Sequence, residues 1–334
     1  MLAAVGRALA SAALFVAAIA AGVLVLEGVV RLTLPAFDPS GRFSFGYEVG
    51  TLVLGTPGSV SRQAKNTGDY DVEVRINRHG LRDDKDVSKA TPGDVIVVGD
   101  SFAWGWGVEA RDRFSDVLQA KTGLLAYNVS TPTNLDGYRD LLAYVETLGG
   151  KIGRVVLALC MENDLGVYAE AADPSDSTGP TVHFSGVKSW LEHHSAAYLF
   201  ITSTIHQTPW LTGLATRIGL IIPNLEGISR NIDSTEIVAS TAARVAAIAD
   251  RYPTLVVLIP SRALWVGRDR STEDRVHSAL VAGLRAKGVA LLDLKPLQEA
   301  GGKPLDYHFA NDGHWNARGH RLAADAIADR LQRR

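Results

Sequence analysis

The stretch Asp94-Val-Ile-Val-Val-Gly-Asp-Ser101 decides the fold. An unbroken run of five apolar or small residues between Asp94 and Asp100 suits a strand buried on both faces, the kind found inside parallel sheets. Further runs of this kind follow at Leu124 to Val129, Arg154 to Cys160, Thr254 to Ile259 and Val289 to Leu294. Between them lie amphipathic segments such as Arg113 to Lys121, Gly137 to Thr147 and Ser240 to Arg251, each long enough for a crossover helix. About five strands alternating with helices predict an α/β fold, an open parallel sheet with right-handed crossovers. In such sheets the site lies beyond the carboxyl ends of the strands.

The chain has 334 residues, 46% hydrophobic and 21% charged, enough for one large globular domain or one domain with a smaller attached unit. That composition excludes a disordered or fibrous protein. A formal net charge of -2 provides no electrostatic footprint for a polyanion, so no nucleic-acid partner is expected and polar, uncharged substrates fit better. The single cysteine, Cys160, excludes an intrachain disulfide framework and a cysteine-rich metal site. Lying in the apolar run Val155 to Met161, it reads as a small buried thiol. No cofactor and no metal are expected.

At the N-terminus, Ala8 to Leu26 carries no charge and has about the length needed to cross a bilayer core. Glu27 and Arg31 follow at i and i+4, a spacing that lets them pair on one helix face where the segment leaves the hydrocarbon. A cleaved signal peptide is the competing reading, with Arg7 as its positive region and small residues around Ala20 as a cleavage site. The apolar run continues past that site to Val30, which favours an uncleaved anchor over residues 8–31. The expected topology is a single-pass membrane protein whose C-terminal domain lies outside the cytoplasm, in the periplasm. Arg7 on one side against Arg31 and Arg42 on the other is a slender charge asymmetry on which to orient it.

Residues 36–93 read as a small β-rich lead-in. Tyr70-Asp-Val-Glu-Val-Arg-Ile76 alternates at period two, and Asn77-Arg-His-Gly80 reads as a turn. No chemistry in the sequence requires this region. Residues 94–334 read as the main domain, and within it the third and fourth strands are joined by an insertion, 165–240, far longer than a normal crossover. It carries a Pro, Gly and Ser cluster around Asp173 to Pro180, then Trp190-Leu-Glu-His-His-Ser195, Trp210 and an apolar patch from Ile218 to Leu225. It reads as a substrate-facing cap, or as an extra packing layer or second membrane-surface contact.

The first strand ends in Gly99-Asp100-Ser101, where a serine is either a nucleophile or a helix N-cap. The far end of the chain decides between them. Asn311-Asp312-Gly313-His314-Trp315-Asn316 lies between the last strand and a final helix, Arg318 to Arg333. A serine hydroxyl needs an imidazole to take its proton, and the imidazole needs a carboxylate to fix its tautomer. Asp312 and His314, two residues apart, supply both on one segment.

These residues resemble the SGNH or GDSL-type serine hydrolases in four blocks spread over Asp94 to Arg334: Gly99-Asp100-Ser101, then Asn128-Val-Ser-Thr-Pro-Thr133, then Glu162-Asn163-Asp164, and Asp312-Gly313-His314. The resemblance implies a flavodoxin-like sheet with strand order 2-1-3-4-5. It implies Ser101 as nucleophile, His314 as general base and acid, and Asp312 as the orienting carboxylate. The oxyanion hole would comprise the Ser101 backbone N–H, the Asn163 side-chain amide and a backbone donor from the second block. That block commonly has a glycine where this sequence offers Ser130 or Thr133, and a β-branched Thr133 resists a positive φ. The third block usually has glycine before its asparagine, and here it has Glu162, a carboxylate near the pocket.

The remaining polar residues have plainer readings. His193 and His194 suit a surface segment, while His308 and His320 flank the Asp312 loop without an aspartate two residues before them. Asn128-Val129-Ser130 matches a glycosylation sequon at a position expected inside the site. Trp104, Trp106 and Trp315 read either as a sugar-stacking wall or as core. The expected activity is a membrane-anchored esterase or deacylase forming an acyl-enzyme on Ser101, its substrate an acyl ester, acetyl above all, of an envelope glycan or lipid. The same triad would serve a polysaccharide O-acyltransferase, as in membrane-tethered relatives with a similar Asp-x-His-Trp ending. The altered blocks leave a non-catalytic scaffold subunit of an envelope complex as the second class of function.

Overall fold

The computed structural model describes residues 2–165, 185–220, 235–267 and 269–332. The larger of two compact units takes in Phe43–Lys65, Asp69–Thr178 and Ile222–Arg334. It opens with two antiparallel hairpins, β1 (Phe45–Val49) with β2 (Leu52–Gly55) and β3 (Val60–Ala64) with β4 (Asp71–Arg75). The single alternating strand expected at 70–76 is thus one arm of a hairpin whose partner is less regular in sequence.

Behind the hairpins stands a five-stranded sheet of β5 (Val95–Gly99), β6 (Ala126–Asn128), β7 (Val155–Cys160), β8 (Thr254–Ile259) and β9 (Ala290–Asp293). Its order is β6-β5-β7-β8-β9 and every pairing is parallel, which is the expected 2-1-3-4-5 arrangement. The register sets Val97 beside Asn128, Gly99 beside Ala158 and Cys160 beside Ile259, so the chain leaves neighbouring strands at one edge.

Period two explains how continuous apolar runs cover two cores. Ile96, Val98, Leu157, Leu159, Val256 and Leu258 face α4 (Leu135–Thr147), α8 (Thr235–Arg251) and α10 (Arg270–Ala286). Val95, Val97, Val156, Ala158, Leu255 and Val257 face α3 (Phe114–Thr122) and α12 (Ala317–Gln332). Two of the three expected crossover helices, α4 and α8, begin earlier than the apolar pattern suggests. The Asn134 carboxamide oxygen accepts from the N–H groups of Asp136 and Gly137 and starts α4 two residues before the expected Gly137, a cap that hydrophobic periodicity does not register.

His320 of α12 illustrates how tightly the second core is closed. Its ring stacks on Phe114 at 6.1 Å and meets Trp315 edge-on, and its Nδ1 accepts from the Phe114 N–H at 3.3 Å. Burial, reinforced by the charges of Arg113 and Arg82, pushes the imidazole down to about 3. The unfolded chain therefore binds a proton that the folded chain refuses. The stabilisation from neutral His320 is full above about pH 6.5 and is lost as pH falls towards 3, amounting to about 3 kcal/mol by pH 4. Denaturant midpoints at pH 7 and pH 4.5 should show a smaller acid-induced loss for His320→Gln than for the parent.

The smaller unit comprises the described parts of Met1–Arg42, Asn66–Gly68 and Gly179–Ile221. Its first element is α1 (Leu2–Thr33), in which Ser11–Thr33 has a mean hydropathy of 2.5, long and apolar enough to cross a membrane. A helix of this kind near an N-terminus serves as an anchor or a signal sequence. Side chains from 11 to 25 are exposed, whereas Leu26 to Gly28 are half-buried and Val30 is buried.

Packed on that last part is α6 (Ala196–Gln207), against which α5 (Ser185–His194) and α7 (Pro209–Arg217) pack in turn, all three from the predicted insertion. Glu27 and Arg31 pair as expected, at 2.6 Å. Glu27 also accepts from Ser195 Oγ and the N–H groups of Ala196 and Ala197, and so caps α6, while Arg31 donates to the His194 carbonyl at 2.7 Å. His193 and His194 are exposed. The Asp173 to Pro180 cluster, and the apolar patch from residue 221 onward, lie outside the described residues.

Candidate active site

At the carboxyl end of β5 the chain must turn sharply while staying against the sheet. A Cβ on Gly99 would lie 2.8 Å from Ala103 Cβ, 2.9 Å from Ala158 Cβ and 3.0 Å from the Ala158 carbonyl oxygen, so only glycine lets the turn pack this closely. Asp100 then caps the short helix α2 (Ser101–Trp104), its Oδ1 accepting from the Phe102 N–H at 2.9 Å. The cap role weighed for Ser101 thus falls to its neighbour, and the serine hydroxyl is directed elsewhere. Ser101 Oγ and His314 Nε2 are 2.8 Å apart.

The loop before α12 brings the other two groups. His314 Nδ1 lies 2.5 Å from Asp312 Oδ1, which also accepts from the His314 backbone N–H at 3.1 Å. A carboxylate on that side assigns the proton to Nδ1, leaving Nε2 as the acceptor for the serine hydroxyl. Burial alone would raise the Asp312 carboxyl, yet its hydrogen bond and charge interaction with His314, together with Lys65, hold it well below the usual carboxylate range. It therefore stays ionised throughout the neutral range.

Neither Lys65 nor Tyr70 was expected in this site, and they correct the reading of the lead-in as chemically idle. Lys65 Nζ donates to Asp312 Oδ2 at 2.9 Å and the Tyr70 hydroxyl donates to the same oxygen at 3.1 Å. Tyr70 in turn accepts from Trp106 Nε1 at 2.8 Å, and the Trp106 ring stacks on His314 with centroids 5.3 Å apart. The turn of the second hairpin thus fixes the carboxylate from behind, and Trp106, held by Tyr70, covers one face of the imidazole. No sequence signal links Lys65 to a partner 247 positions away. Of the three tryptophans read either as a wall or as core, Trp106 lines the site while Trp104 and Trp315 are core.

A pocket of about 650 Å³ opens beside Ser101, with Thr133 and Asn163 on its lining. Asn163 sits on a π turn, Met161–Leu165, directly after β7, and its Nδ2 donates to the Thr133 carbonyl at 2.9 Å. Between the two second-block candidates the structure distinguishes clearly. The Ser130 N–H is taken by Asn128 Oδ1, whereas Thr133 lines the pocket. No non-glycine residue among those described has a positive φ, so Thr133 needs no left-handed backbone. Its side chain instead occupies the space that a Cβ on Gly137 would fill. Gly137, four residues on in α4, is the glycine that makes room for the threonine.

Behind the site, Asp164 Oδ2 accepts from Tyr138 Oη at 3.1 Å and from the Cys160 N–H at 2.8 Å. Burial, with the nearby charge of Asp100, pushes Asp164 far above the carboxylate range, so it holds its proton. Cys160 is buried and its thiol is pushed up by the same desolvation, which leaves it inert. Asn128 is buried, with Nδ2 donating to the Ala103 carbonyl and Ser115 Oγ, and is closed to glycosylation. His308 donates from Nδ1 to the Gly313 carbonyl at 2.8 Å and is pushed down to about 4 by burial, so it braces the loop as a neutral ring. Among the described residues no group of three or more His, Cys, Asp or Glu side chains gathers to hold a metal ion.

Residues 236–334, which include Asp312 and His314, match the family model described as SGNH hydrolase-like domain, acetyltransferase AlgX. That match and the sheet order bear out the resemblance to SGNH hydrolases read from the four blocks. No curated protein matches the chain. Solved structures similar to it include a lipolytic protein of the G-D-S-L family from Veillonella parvula, 14% identical, covering 72% of this chain and 99% of that one with a TM-score of 0.44. Another is a carbohydrate esterase family 2 enzyme with a carbohydrate-binding domain from Corynascus thermopiles (Myceliophthora fergusii), 13% identical, covering 88% and 87% with a TM-score of 0.40.

Proposed function

We propose that this chain is a serine esterase or acyltransferase that takes an acyl group, acetyl above all, from an envelope glycan or lipid and carries it on Ser101. The observation that carries the reading is the relay Ser101–His314–Asp312, with contacts of 2.8 and 2.5 Å at the mouth of a pocket. In the reaction, Ser101 Oγ attacks the ester carbonyl as His314 Nε2 takes its proton. The negative charge that develops on the carbonyl oxygen is met by the Ser101 N–H, the Thr133 N–H and the Asn163 amide, each such donor contributing about 3 kcal/mol. His314 then protonates the departing alkoxide, and the ester on Ser101 waits for an acceptor. Water gives hydrolysis; a sugar hydroxyl gives transfer. The name of the matching family, an acetyltransferase, favours the second acceptor. Helix α1 would tether the enzyme to the membrane that holds its substrate.

The test is a partition measurement. The full chain in lipid nanodiscs is given an acetylated glycan with and without a second glycan bearing free hydroxyls, and free acetate and newly acetylated glycan are both quantified. Transfer predicts that the acceptor diverts acyl groups from acetate; hydrolysis predicts unchanged acetate. Absence of both products with every acyl donor would overturn the catalytic reading and leave a binding or scaffold role.

A further inference from the structure

Glu162 occupies the position before the oxyanion asparagine and lines the pocket together with Arg262, but its carboxylate is engaged by that arginine. It grips Arg262, the residue just beyond β8: Oε1 accepts from the Arg262 backbone N–H at 2.6 Å and from Nε at 3.1 Å, while Oε2 accepts from Nη2 at 2.8 Å. Both side chains are largely buried, 16% and 12% exposed. Burial would raise the Glu162 carboxyl, but the arginine beside it brings it below the ordinary value, so the pair is ionic throughout the neutral range.

The far side of the guanidinium reaches the catalytic loop. A Cβ on Gly313 would lie 2.5 Å from Cζ and Nη2 of Arg262 and 2.6 Å from Nη1, which places the planar group flat against the peptide between Asp312 and His314. His308 holds that peptide from its carbonyl. One ion pair therefore joins three separate segments: the π turn carrying Asn163, the end of β8, and the loop carrying Asp312 and His314. A planar fork is needed for both contacts at once, two-point pairing with a carboxylate and flat packing on a peptide.

We propose that the Glu162–Arg262 pair is a positioning device that fixes the oxyanion donor Asn163 relative to the base His314, and that it acts on the transition state, not on substrate affinity. This rests on the reading of Asn163 and His314 given under the proposed function. Such a strut makes the glycine usual at position 162 in the resembled family unnecessary here, because the charge is neutralised by a partner built into the next strand end. It also gives Gly313 a reason to lack a side chain.

The experiment compares the parent chain with Glu162→Gln, Arg262→Met, the double variant and Gly313→Ala, measuring kcat, KM, thermal midpoint and the rate of Ser101 labelling by a fluorophosphonate. Misplacement of reacting groups by a fraction of an ångström to 1 Å lowers rates by up to about 100-fold. The expected result is a kcat loss of about 10- to 100-fold in each single variant, KM within about twofold, and a double variant no worse than the poorer single, because the two residues work as one unit. A raised KM with unchanged kcat would make Arg262 a substrate-binding residue and overturn the proposal. A lowered thermal midpoint with unchanged kcat would make the pair merely structural and also overturn it. Gly313→Ala tests the strut without removing either charge. If the parent itself fails to label and fails to turn over esters, it is the catalytic reading that fails.

Discussion

Ser101→Ala should abolish labelling by a fluorophosphonate and lower ester turnover by about 10⁴- to 10⁶-fold, while leaving the thermal midpoint nearly unchanged. The size of the first effect follows from the role proposed for the hydroxyl: it would form the bond that splits one hard step into two easier ones. Cys160 is buried and holds its proton, and the nearby carboxylates cannot form a stable acyl ester. The near-absence of the second effect follows from the division of labour at the start of α2. Asp100 caps the helix, so among the described residues the one hydrogen bond lost with Ser101 Oγ is that to His314. A surface-accessible bond of this kind contributes about 1 kcal/mol or less. A variant that labels as the parent does, or that keeps its turnover, would show that the chemistry lies elsewhere.

Asp312→Asn should lower kcat by about 10⁴-fold with the backbone intact, and the structure says why an amide cannot stand in. Every contact to this side chain comes from a donor. Oδ1 receives the His314 N–H and Nδ1, while Oδ2 receives the Lys65 ammonium and the Tyr70 hydroxyl. An asparagine must turn its NH₂ towards one of the two sets. The charge on Lys65 claims the amide oxygen, so the NH₂ faces Nδ1, strips it of its proton and leaves Nε2–H pointing at Ser101. In that tautomer the imidazole cannot act as base.

Lys65→Met should then be informative in combination. Alone it removes one support of an ionised carboxylate, a modest loss; in Asp312→Asn it frees the amide to turn, so part of the lost activity should return. Single-turnover kinetics on the two single variants and the double variant measure this. Losses in the double variant equal to the sum of the two singles would exclude the tautomer argument.

Much of this architecture is legible in the chain itself, and the parts that are not share a cause. The strands from Val95, Val155 and Thr254 are continuous apolar runs because both faces of the sheet are covered, and a run of that kind shows in any window. Gly99, Asp100, Ser101, Asp312 and His314 cluster in two short segments, so their chemistry can be read from spacing. The supports of the site are scattered singly. Lys65 looks like any charge at a strand end, Arg262 like any loop arginine, and Gly137 like a weak point in a helix. Each acquires meaning only when folding brings a distant partner against it. Thr133 shows the reverse error: the left-handed backbone that its branched side chain would resist is not adopted, and the side chain packs into space left by Gly137 on the following helix.

The N-terminal helix has one property that hydropathy cannot express. Its last turns carry Glu27 and Arg31 into the insertion, where the carboxylate serves as the cap of α6 and the guanidinium holds the end of α5. Another apolar segment of equal length would match its hydropathy and would leave α6 with only its Ser195 cap, its first N–H groups without the carboxylate. The helix is therefore more than an apolar segment: its last turns and the insertion that meets them hold one another, as two halves of one lock.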